Sequence, residues 1–327
     1  MPKTACSTDP NLIPHADAMR FINPKTDLAF KKIFGSDASH EVLVDFLDSL
    51  LYGSRGAIAG LEIINPWLAP KIRGVKDTYL DVRARLKDGR QVIIEMQVLN
   101  VEGFEKRILY NAAKAYSIQL PAGADYADLA PVIALTLTDF VMFPGHGPYL
   151  SRFTLREKDF LLDYPQDDLE LVFVELPKFA KPLAELSTQA ERWLYFIRHA
   201  RDLTAIPAEF QDDAPLRRAF DLANAAQLTP EEEEELDKRE IFIHDQRNAI
   251  VKALKQGIAQ GIEQGIAQGI EQGITQGLEQ GIEQGRNEGA FAEKQAIARK
   301  LLDVLDNATI AAKTGLPAEE VARLRDN

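Results

Sequence analysis

Cysteine is almost absent from this chain, since Cys6 is the only one among 327 residues. A single cysteine can form neither an internal disulfide nor a cysteine-rich zinc site. The five histidines are scattered, without the spacing of a metal site or a catalytic triad. The sequence also lacks the Gly-Lys-Ser/Thr motif that cradles nucleotide phosphates. These absences argue against disulfide scaffolds, zinc enzymes, ATPases and a bound nucleotide cofactor.

Long apolar runs and positive charge are also scarce. No run of 18 apolar residues occurs, so we expect no membrane-spanning helix. Residues 1–20 lack the apolar segment of a signal peptide, and we interpret them as a flexible leader of a cytoplasmic protein. The net charge of −12 is unfavourable for binding phosphates. Residues 71–120 oppose this trend, with ten Lys or Arg against six Asp or Glu, a local balance of 10 − 6 = +4.

Five segments follow from the remaining patterns. After the leader, residues 21–185 alternate helical and strand-like patterns, as expected of an α/β core. Residues 186–256 are predicted to be helical, and a helix start is marked by Thr229 as N-cap, Pro230 at the first position and Glu232 three residues after the cap. Residues 257–289 form a repeat, and residues 290–327 are again predicted to be helical.

The repeat places Gly at every fourth position from 257 to 289, with an aliphatic residue after each of the first seven glycines. Four residues advance about 400° on an α-helix, so the aliphatic stripe drifts by about 40° per repeat. Nine interior glycines would cost a lone helix roughly 9 kcal/mol. Two interpretations stay open. A flexible spacer is slightly favoured for the isolated chain, but regular isoleucines indicate a helical segment that joins chains.

The C-terminal pattern around Thr314, Gly315 and Pro317 is typical of two short helices. Residues 309–321 are similar to a helix-turn-helix element, which would contact DNA. The alternative is a small helical hairpin, and we favour it because the second helix begins with acidic residues.

The most informative segment is a predicted β-hairpin over residues 78–99. Lys87-Asp88-Gly89 fits a three-residue loop in which Gly89 takes the left-handed conformation. This loop pairs Leu86 with Arg90 and brings Asp81 opposite Glu95. One face then carries only apolar residues, running from Leu80 to Val98, and any shift by one residue would mix the two faces. Directly opposed side chains have Cβ atoms about 4.5–5.5 Å apart.

Two adjacent carboxylates repel each other unless a proton or a cation lies between them. Oxygen ligands suit Mg²⁺, which also binds water and phosphate oxygens. The pair Asp81 and Glu95 is therefore compatible with metal-assisted phosphodiester hydrolysis. An alternative is a solvated sheet face on which Asp81 pairs with Arg83 or Arg85. Spacing alone does not decide between them.

Several motifs occur together in the chain and are specific as a set. They are NPKTDLAFKKIFG at residues 23–35, Leu80-Asp81-Val82, Ile94-Glu95-Met96-Gln97, Arg107 with Tyr110, and Val174-Glu175-Leu176-Pro177-Lys178-Phe179. With these motifs the chain resembles the Rpn family of recombination-promoting nucleases, also described as PD-(D/E)XK-family transposases. The resemblance covers nearly everything from residue 21 onward.

The resemblance implies a restriction-endonuclease-like α/β/α core with a mixed central sheet. Its elements would be a helix from Asp27, a strand near 61–64, the hairpin, a helix near 104–120 and a buried strand at Val132–Thr138. The implied activity is that of a Mg²⁺-dependent DNA endonuclease, with Mn²⁺ as a substitute ion, in recombination or mobile-element biology. The implied partners are DNA and further copies of the chain, as a homodimer or a higher oligomer.

The resemblance also assigns roles to residues. Asp81 and Glu95 would be metal ligands together with the Met96 carbonyl, and Gln97 would complete the catalytic set. Gln97 stands where the wider superfamily has Lys, so it supplies a neutral amide in place of a charge. Lys31 or Lys76 is a candidate for the missing cation.

Three further residues are candidates with simple alternatives. Asp27 would complete the site, or it is an acid favoured by the helix dipole. Arg107 and Tyr110 lie three residues apart on one helix face and would hold phosphate. Alternatively, Arg107 pairs with Glu102 or Glu105, and Tyr110 is a half-buried surface residue.

Two other functions stay open at this point. The first is a catalytically inactive protein with the nuclease fold that binds DNA or protein and self-associates through the glycine repeat. The second is a ribonuclease, because metal chemistry at phosphate does not distinguish the sugar.

Overall fold

The computed structural model describes residues 20–68, 78–121 and 123–326. Residues 1–19 of the predicted leader and the candidate cation Lys76 lie outside them. The chain divides into two compact units, one ending at Asn248 and the other beginning at Ala249. Within the described residues, no helix is both long enough and apolar enough to cross a membrane.

A mixed β-sheet forms the centre of the first unit. Its six strands lie in the order β1-β4-β5-β6-β8-β7, and a separate ribbon pairs β2 with β3. The pairs β1–β4, β4–β5 and β7–β8 are antiparallel, whereas β5–β6 and β6–β8 are parallel. The strands are β1 (Leu61–Ile63), β2 (Trp67–Leu68), β3 (Thr78–Tyr79), β4 (Val82–Leu86), β5 (Gln91–Gln97), β6 (Val132–Thr138), β7 (Leu150–Phe153) and β8 (Leu169–Glu175).

Helices cover both faces of this sheet. They are α1 (Asp27–Phe34), α2 (His40–Tyr52), α3 (Phe104–Ser117), α4 (Gln189–His199), α5 (Ala214–Leu222) and the beginning of α6 (Pro230–Leu301). The main core cluster joins one sheet face to α1, α2, α4 and α5, with Phe34, Phe46 and Trp193 in mutual ring contact. On the other face, α3 packs Ala112 and Ala115 against apolar strand residues. The predicted α/β/α core is confirmed.

The central strands are buried because helices cover both of their faces. All seven residues of β6 are buried, as expected for a parallel strand inside a two-sided sheet. The predicted bounds of this strand match the observed ones. The helix predicted near 104–120 ends at Ser117, and the strand predicted near 61–64 ends at Ile63.

The predicted hairpin register is confirmed. Val82 pairs with Ile94 and Arg83 with Ile93, and the Leu86 amide donates to the Arg90 carbonyl. Gly89 in the loop has φ +94°, a left-handed conformation that glycine adopts without steric cost.

One part of the predicted hairpin is wrong. Leu80 was expected on the same face as Val82, but it packs in the cluster of the opposite face with Ile93. The reason is a break in the strand: β3 ends at Tyr79, Asp81 is a bend and β4 begins at Val82. The Leu80 amide donates instead to the Pro66 carbonyl. The alternation of faces therefore does not continue through Asp81.

The second unit contains most of α6, followed by α7 (Asn307–Thr314) and α8 (Ala318–Asp326). The glycine repeat is helical throughout, and a Cβ added at any of its nine glycines would meet nothing within 4 Å. Beyond the repeat, Ala298, Ile310, Leu316 and Val321 form a small buried cluster. The two predicted short helices are thus present, separated by Gly315 at φ +68°.

Candidate active site

Asp81 lies at the bend between β3 and β4, where its side chain turns back toward β5. Its Oδ2 accepts a hydrogen bond from the Met96 backbone amide at 2.8 Å, and its Oδ1 lies 3.7 Å from the Lys31 ammonium. The Asp81 pKa is raised to about 7, mainly by burial and also by the charges of Asp27 and Glu95, against the lowering effects of the Met96 amide and Lys31. The alternative in which Asp81 pairs with Arg83 or Arg85 is therefore wrong.

Glu95 points from β5 toward α3, the helix that follows the hairpin. Its Oε1 accepts a hydrogen bond from the Asn111 amide, and its Oε2 lies 3.8 Å from the Arg107 guanidinium. Burial raises the Glu95 pKa, and the Asn111 hydrogen bond and the Arg107 charge only partly oppose this effect. Glu95 and Asp81 are thus both largely buried carboxyls, with side chains 13% and 14% exposed, whose charged forms are disfavoured by the surrounding protein.

Gln97 occupies the end of β5 and holds Arg107 in place. The Gln97 Nε2 donates to the Leu99 carbonyl at 2.7 Å, which fixes the orientation of the amide. Its Oε1 then accepts from the Arg107 Nη2 at 2.6 Å. The partners of Arg107 are therefore Gln97 and Glu95, and the alternative pairing with Glu102 or Glu105 is wrong.

These side chains surround one cavity of about 310 Å³. Ten residues line it: Asp27, Thr78, Tyr79, Asp81, Glu95, Met96, Gln97, Arg107, Tyr110 and Asn111. The fold thus brings together all candidate site residues that the structure describes, except that Lys31 reaches the site only through its ion pair with Asp81.

Sequence reasoning missed three of the lining residues with polar side chains, Thr78, Tyr79 and Asn111. Asn111 follows Arg107 by four residues on α3, so the helical period was a signal that could have pointed to it. Tyr79 belonged to the polar face of the predicted hairpin but had been given no role. Its position at the cavity depends on the strand break, which no sequence period encodes.

The side chains at this cavity fit a divalent cation held by oxygen atoms. Two largely buried carboxyls with raised pKa values line the same cavity, and the buried Asn111 Oδ1 next to Glu95 has no hydrogen-bond partner among the described residues. A cation would stabilise both charged carboxylates. In the part of the chain that the structure describes, no three His, Cys, Asp or Glu side chains are grouped closely enough to hold an ion by themselves.

The comparison with known protein families agrees with the geometry of this cavity. The family model described as PD-(D/E)XK nuclease family transposase matches residues 24–253, which include every strand and helices α1 to α5. The match confirms the resemblance seen in the sequence motifs. No curated protein and no solved structure is significantly similar to the chain.

Proposed function

The chain belongs to the PD-(D/E)XK nuclease family transposases, and from this we propose that it is a metal-dependent DNA endonuclease acting in recombination or mobile-element biology. The observation that carries the proposal is the pair of largely buried carboxyls, Asp81 and Glu95, in one cavity with Arg107. A buried acidic pair is costly for the fold and is expected where a cation is to be bound.

Asp81, Glu95 and the Met96 carbonyl would hold the ion. When bound, Mg²⁺ or Mn²⁺ polarises the phosphate and lowers the pKa of a water molecule. Asp81 is oriented for this role by the Met96 amide, and Glu95 by Asn111. These two hydrogen bonds keep the carboxylates in place before any ligand arrives, which reduces the reorganisation needed for catalysis.

Arg107 would supply positive charge to the scissile phosphate. The superfamily position that usually carries Lys is the neutral Gln97, but this amide holds the Arg107 guanidinium at 2.6 Å. A guanidinium can bind two phosphate oxygens at once. Tyr110, one turn along α3, lines the same cavity and offers a hydroxyl to the phosphate. Lys31 supplies a second cation beside Asp81.

The proposed assembly is a homodimer or higher oligomer in the cytoplasm. Cleavage of both DNA strands needs two sites, and the aliphatic residues of the glycine repeat are exposed along α6 in the single chain, as for Ile258 and Leu278. Exposed aliphatic side chains at regular spacing favour contact with another chain over a simple spacer.

Cleavage of supercoiled plasmid by the purified full-length protein tests the proposal. We expect nicking or linearisation with Mg²⁺ or Mn²⁺, none with EDTA, and none with the folded Asp81→Ala/Glu95→Ala double variant. Cleavage that survives EDTA or the double substitution would contradict the proposed site.

A second candidate is a nuclease-fold protein that binds DNA or protein without cleaving it. The neutral Gln97 and the net charge of −12 favour it. A folded protein that binds DNA but cleaves neither plasmid DNA nor RNA, over a range of salt and metal concentrations, would support this candidate.

A further inference from the structure

Three aromatic side chains lie exposed beside the proposed active site. Tyr79 is 70% exposed, Trp67 is 42% exposed and Tyr110 is 41% exposed. Tyr79 and Tyr110 line the same cavity as Asp81 and Glu95. Other aromatic residues of the chain are exposed as well, but these three lie together, and two of them line the cavity that holds the carboxyls, which points to a binding role. We call these three residues the aromatic rim.

Two residues of the aromatic rim already form a flat stack. Trp67 and Tyr79 are opposite each other in the β2–β3 ribbon, and their rings lie 6.4 Å apart at an interplanar angle of 20°. The stack is attached to the wall of the cavity, because Thr78, next to Tyr79, also lines it. Thr78 Oγ1 accepts a hydrogen bond from the Lys114 ammonium of α3.

Lys114 also connects the third ring to this arrangement. Its ammonium lies 5.8 Å from the centroid of the Tyr110 ring, within the range of a cation–π contact. The same side chain therefore contacts β3 and the ring of Tyr110. The ribbon and α3 are thereby held together on the side of the cavity where both tyrosines stand.

An exposed aromatic face next to a phosphate-hydrolysing site suits a nucleobase. In a duplex both faces of each base are covered by neighbouring bases, so only an unpaired or extruded base can stack on protein rings. The net charge of −12 also favours a single strand over a duplex as the bound DNA. A single strand depends less steeply on phosphate neutralisation than a duplex does.

We propose that the aromatic rim stacks on unpaired bases, an inference that rests on the proposed function. The preferred substrate is then DNA with a single-stranded stretch next to the scissile phosphate. Tyr79 and Tyr110 are then specificity-determining residues. The phosphate is held by Arg107, and the base beside it is held by the rings.

A binding experiment separates this proposal from the proposed function, because it does not depend on cleavage. The probe is a short DNA oligonucleotide with one 2-aminopurine, used as a single strand and as a duplex. The protein is the full chain carrying Glu95→Gln, with Mg²⁺ present. We expect tighter binding of the single strand and a change in 2-aminopurine fluorescence as the base leaves its neighbours.

Added to that background, Tyr79→Ala should weaken single-strand binding by about 10- to 100-fold and abolish the fluorescence change. Duplex binding should change little. Tyr79→Phe should keep both signals, because the ring remains. Tyr110→Ala, on a different element, should also weaken single-strand binding more than duplex binding, although it removes in both cases the hydroxyl proposed to contact the phosphate. Tyr126→Ala is the matched control, since Tyr126 is 82% exposed and does not line the cavity.

Two outcomes would overturn the proposal. One is equal or tighter binding of the duplex. The other is a loss on Tyr79→Ala that is the same for single strand and duplex, as expected if the Trp67–Tyr79 stack only stabilises the ribbon. If stacking is found but the wild-type protein cleaves no DNA, the proposed function is wrong, whereas the base-stacking role of the aromatic rim is supported. Tighter binding of an RNA strand of the same sequence would contradict the assignment to DNA.

Discussion

The proposed chemistry depends on the carboxyls of Asp81 and Glu95. The burial of Asp81 has a measurable cost in the free energy of unfolding. The Asp81 pKa of about 7 lies above the ordinary value of 3.8, mainly because of burial. The folded protein therefore holds the Asp81 proton more tightly than the unfolded chain does. Stability from this group is complete below about pH 4 and is lost as the pH rises through about 7.

Asp81→Asn should therefore stabilise the metal-free protein while abolishing cleavage. Asparagine keeps an acceptor for the Met96 amide and carries no charge. In urea titrations with EDTA at pH 8, we expect the free energy of unfolding to rise by about 2–4 kcal/mol relative to wild type. The difference should shrink toward pH 5. Added Mg²⁺ should stabilise the wild type and leave the variant unchanged. A variant less stable than wild type at pH 8 would contradict this account of Asp81.

Gln97 is proposed to act through Arg107, and a double-mutant cycle can test this relation. Arg107→Ala should lower the cleavage rate by about a hundredfold, since it removes a cation proposed to act on the phosphate. Gln97→Ala should cause a smaller loss, because Arg107 remains but is no longer oriented. The double variant should be no slower than Arg107→Ala alone. Losses that multiply would show that Gln97 acts independently of Arg107. Lys106→Ala, on the exposed side of α3, is the control.

At the scale of elements, Glu175 joins the end of β8 to the loop that follows β6. Its Oε1 accepts from the backbone amides of Met142 and Phe143, and its Oε2 accepts from Lys178 at 2.5 Å. Burial raises the Glu175 pKa, but these hydrogen bonds have the larger combined effect and hold the pKa below its usual value. The Val174–Phe179 motif thus has a structural role that its sequence does not reveal.

Glu175→Ala should destabilise the protein by about 3–5 kcal/mol, because it leaves Lys178 without its carboxylate partner and two backbone amides without their acceptor. Glu170→Ala, on the same strand, removes the partly exposed pair with Arg152 and should cost about 1 kcal/mol or less. Urea unfolding at pH 7 compares the two. The folded pKa is depressed, so the extra stability from Glu175 should be lost as the pH falls through that pKa. Similar losses for both variants would contradict the assignment.

Local patterns were sufficient to predict several elements. The capping signal at Thr229 is realised, since the Thr229 amide donates to Glu232 and the Glu232 amide donates to the Thr229 hydroxyl. The hairpin register followed from one loop and the burial of one face. The bounds of β6, which the family resemblance implied, agree with a run of residues that is apolar except for Thr136 and the terminal Thr138.

Other features depend on contacts between elements and could not be predicted in this way. The break at Asp81 interrupts the two-residue period that any strand prediction assumes, so Leu80 was placed on the wrong face. The hydrogen bond between Asn111 and Glu95 requires α3 to lie over β5, which neither element specifies alone. The conformation of the glycine repeat could not be predicted, because the low helix propensity of glycine favours a flexible spacer whereas the regular isoleucines favour a helix that joins chains.

At the scale of the whole molecule, the contacts within one chain give no reason for the glycines of the repeat. Apart from the adjoining helix backbone, a Cβ added at these glycines would meet no described atom of the chain within 4 Å. Within one chain, alanine would fit at each position and improve helix propensity by about 1 kcal/mol. Close approach of another helix is the proposed reason for glycine.

The triple substitution Gly265→Ala, Gly269→Ala, Gly273→Ala should therefore reduce self-association while raising helicity. Light scattering should give the wild type the mass of a dimer or larger assembly, and the variant a smaller mass. Circular dichroism at 222 nm should show at least as much helix in the variant. Gln264→Ala, Gln268→Ala, Gln272→Ala adds the same number of alanines at polar positions and is the control. A monomeric wild type would contradict the proposed assembly.

The central claim is that a metal-dependent nuclease site lies at the β4–β5 hairpin, and one matched pair of variants tests it most directly. Glu95→Gln removes a buried carboxylate from the cavity, whereas Glu62→Gln removes an exposed one, paired with Arg85 on the same sheet. The measurement is the rate of plasmid cleavage with Mg²⁺. We expect Glu62→Gln to match the wild type and Glu95→Gln to be slower by more than about a hundredfold. Equal rates for the two variants would contradict the claim.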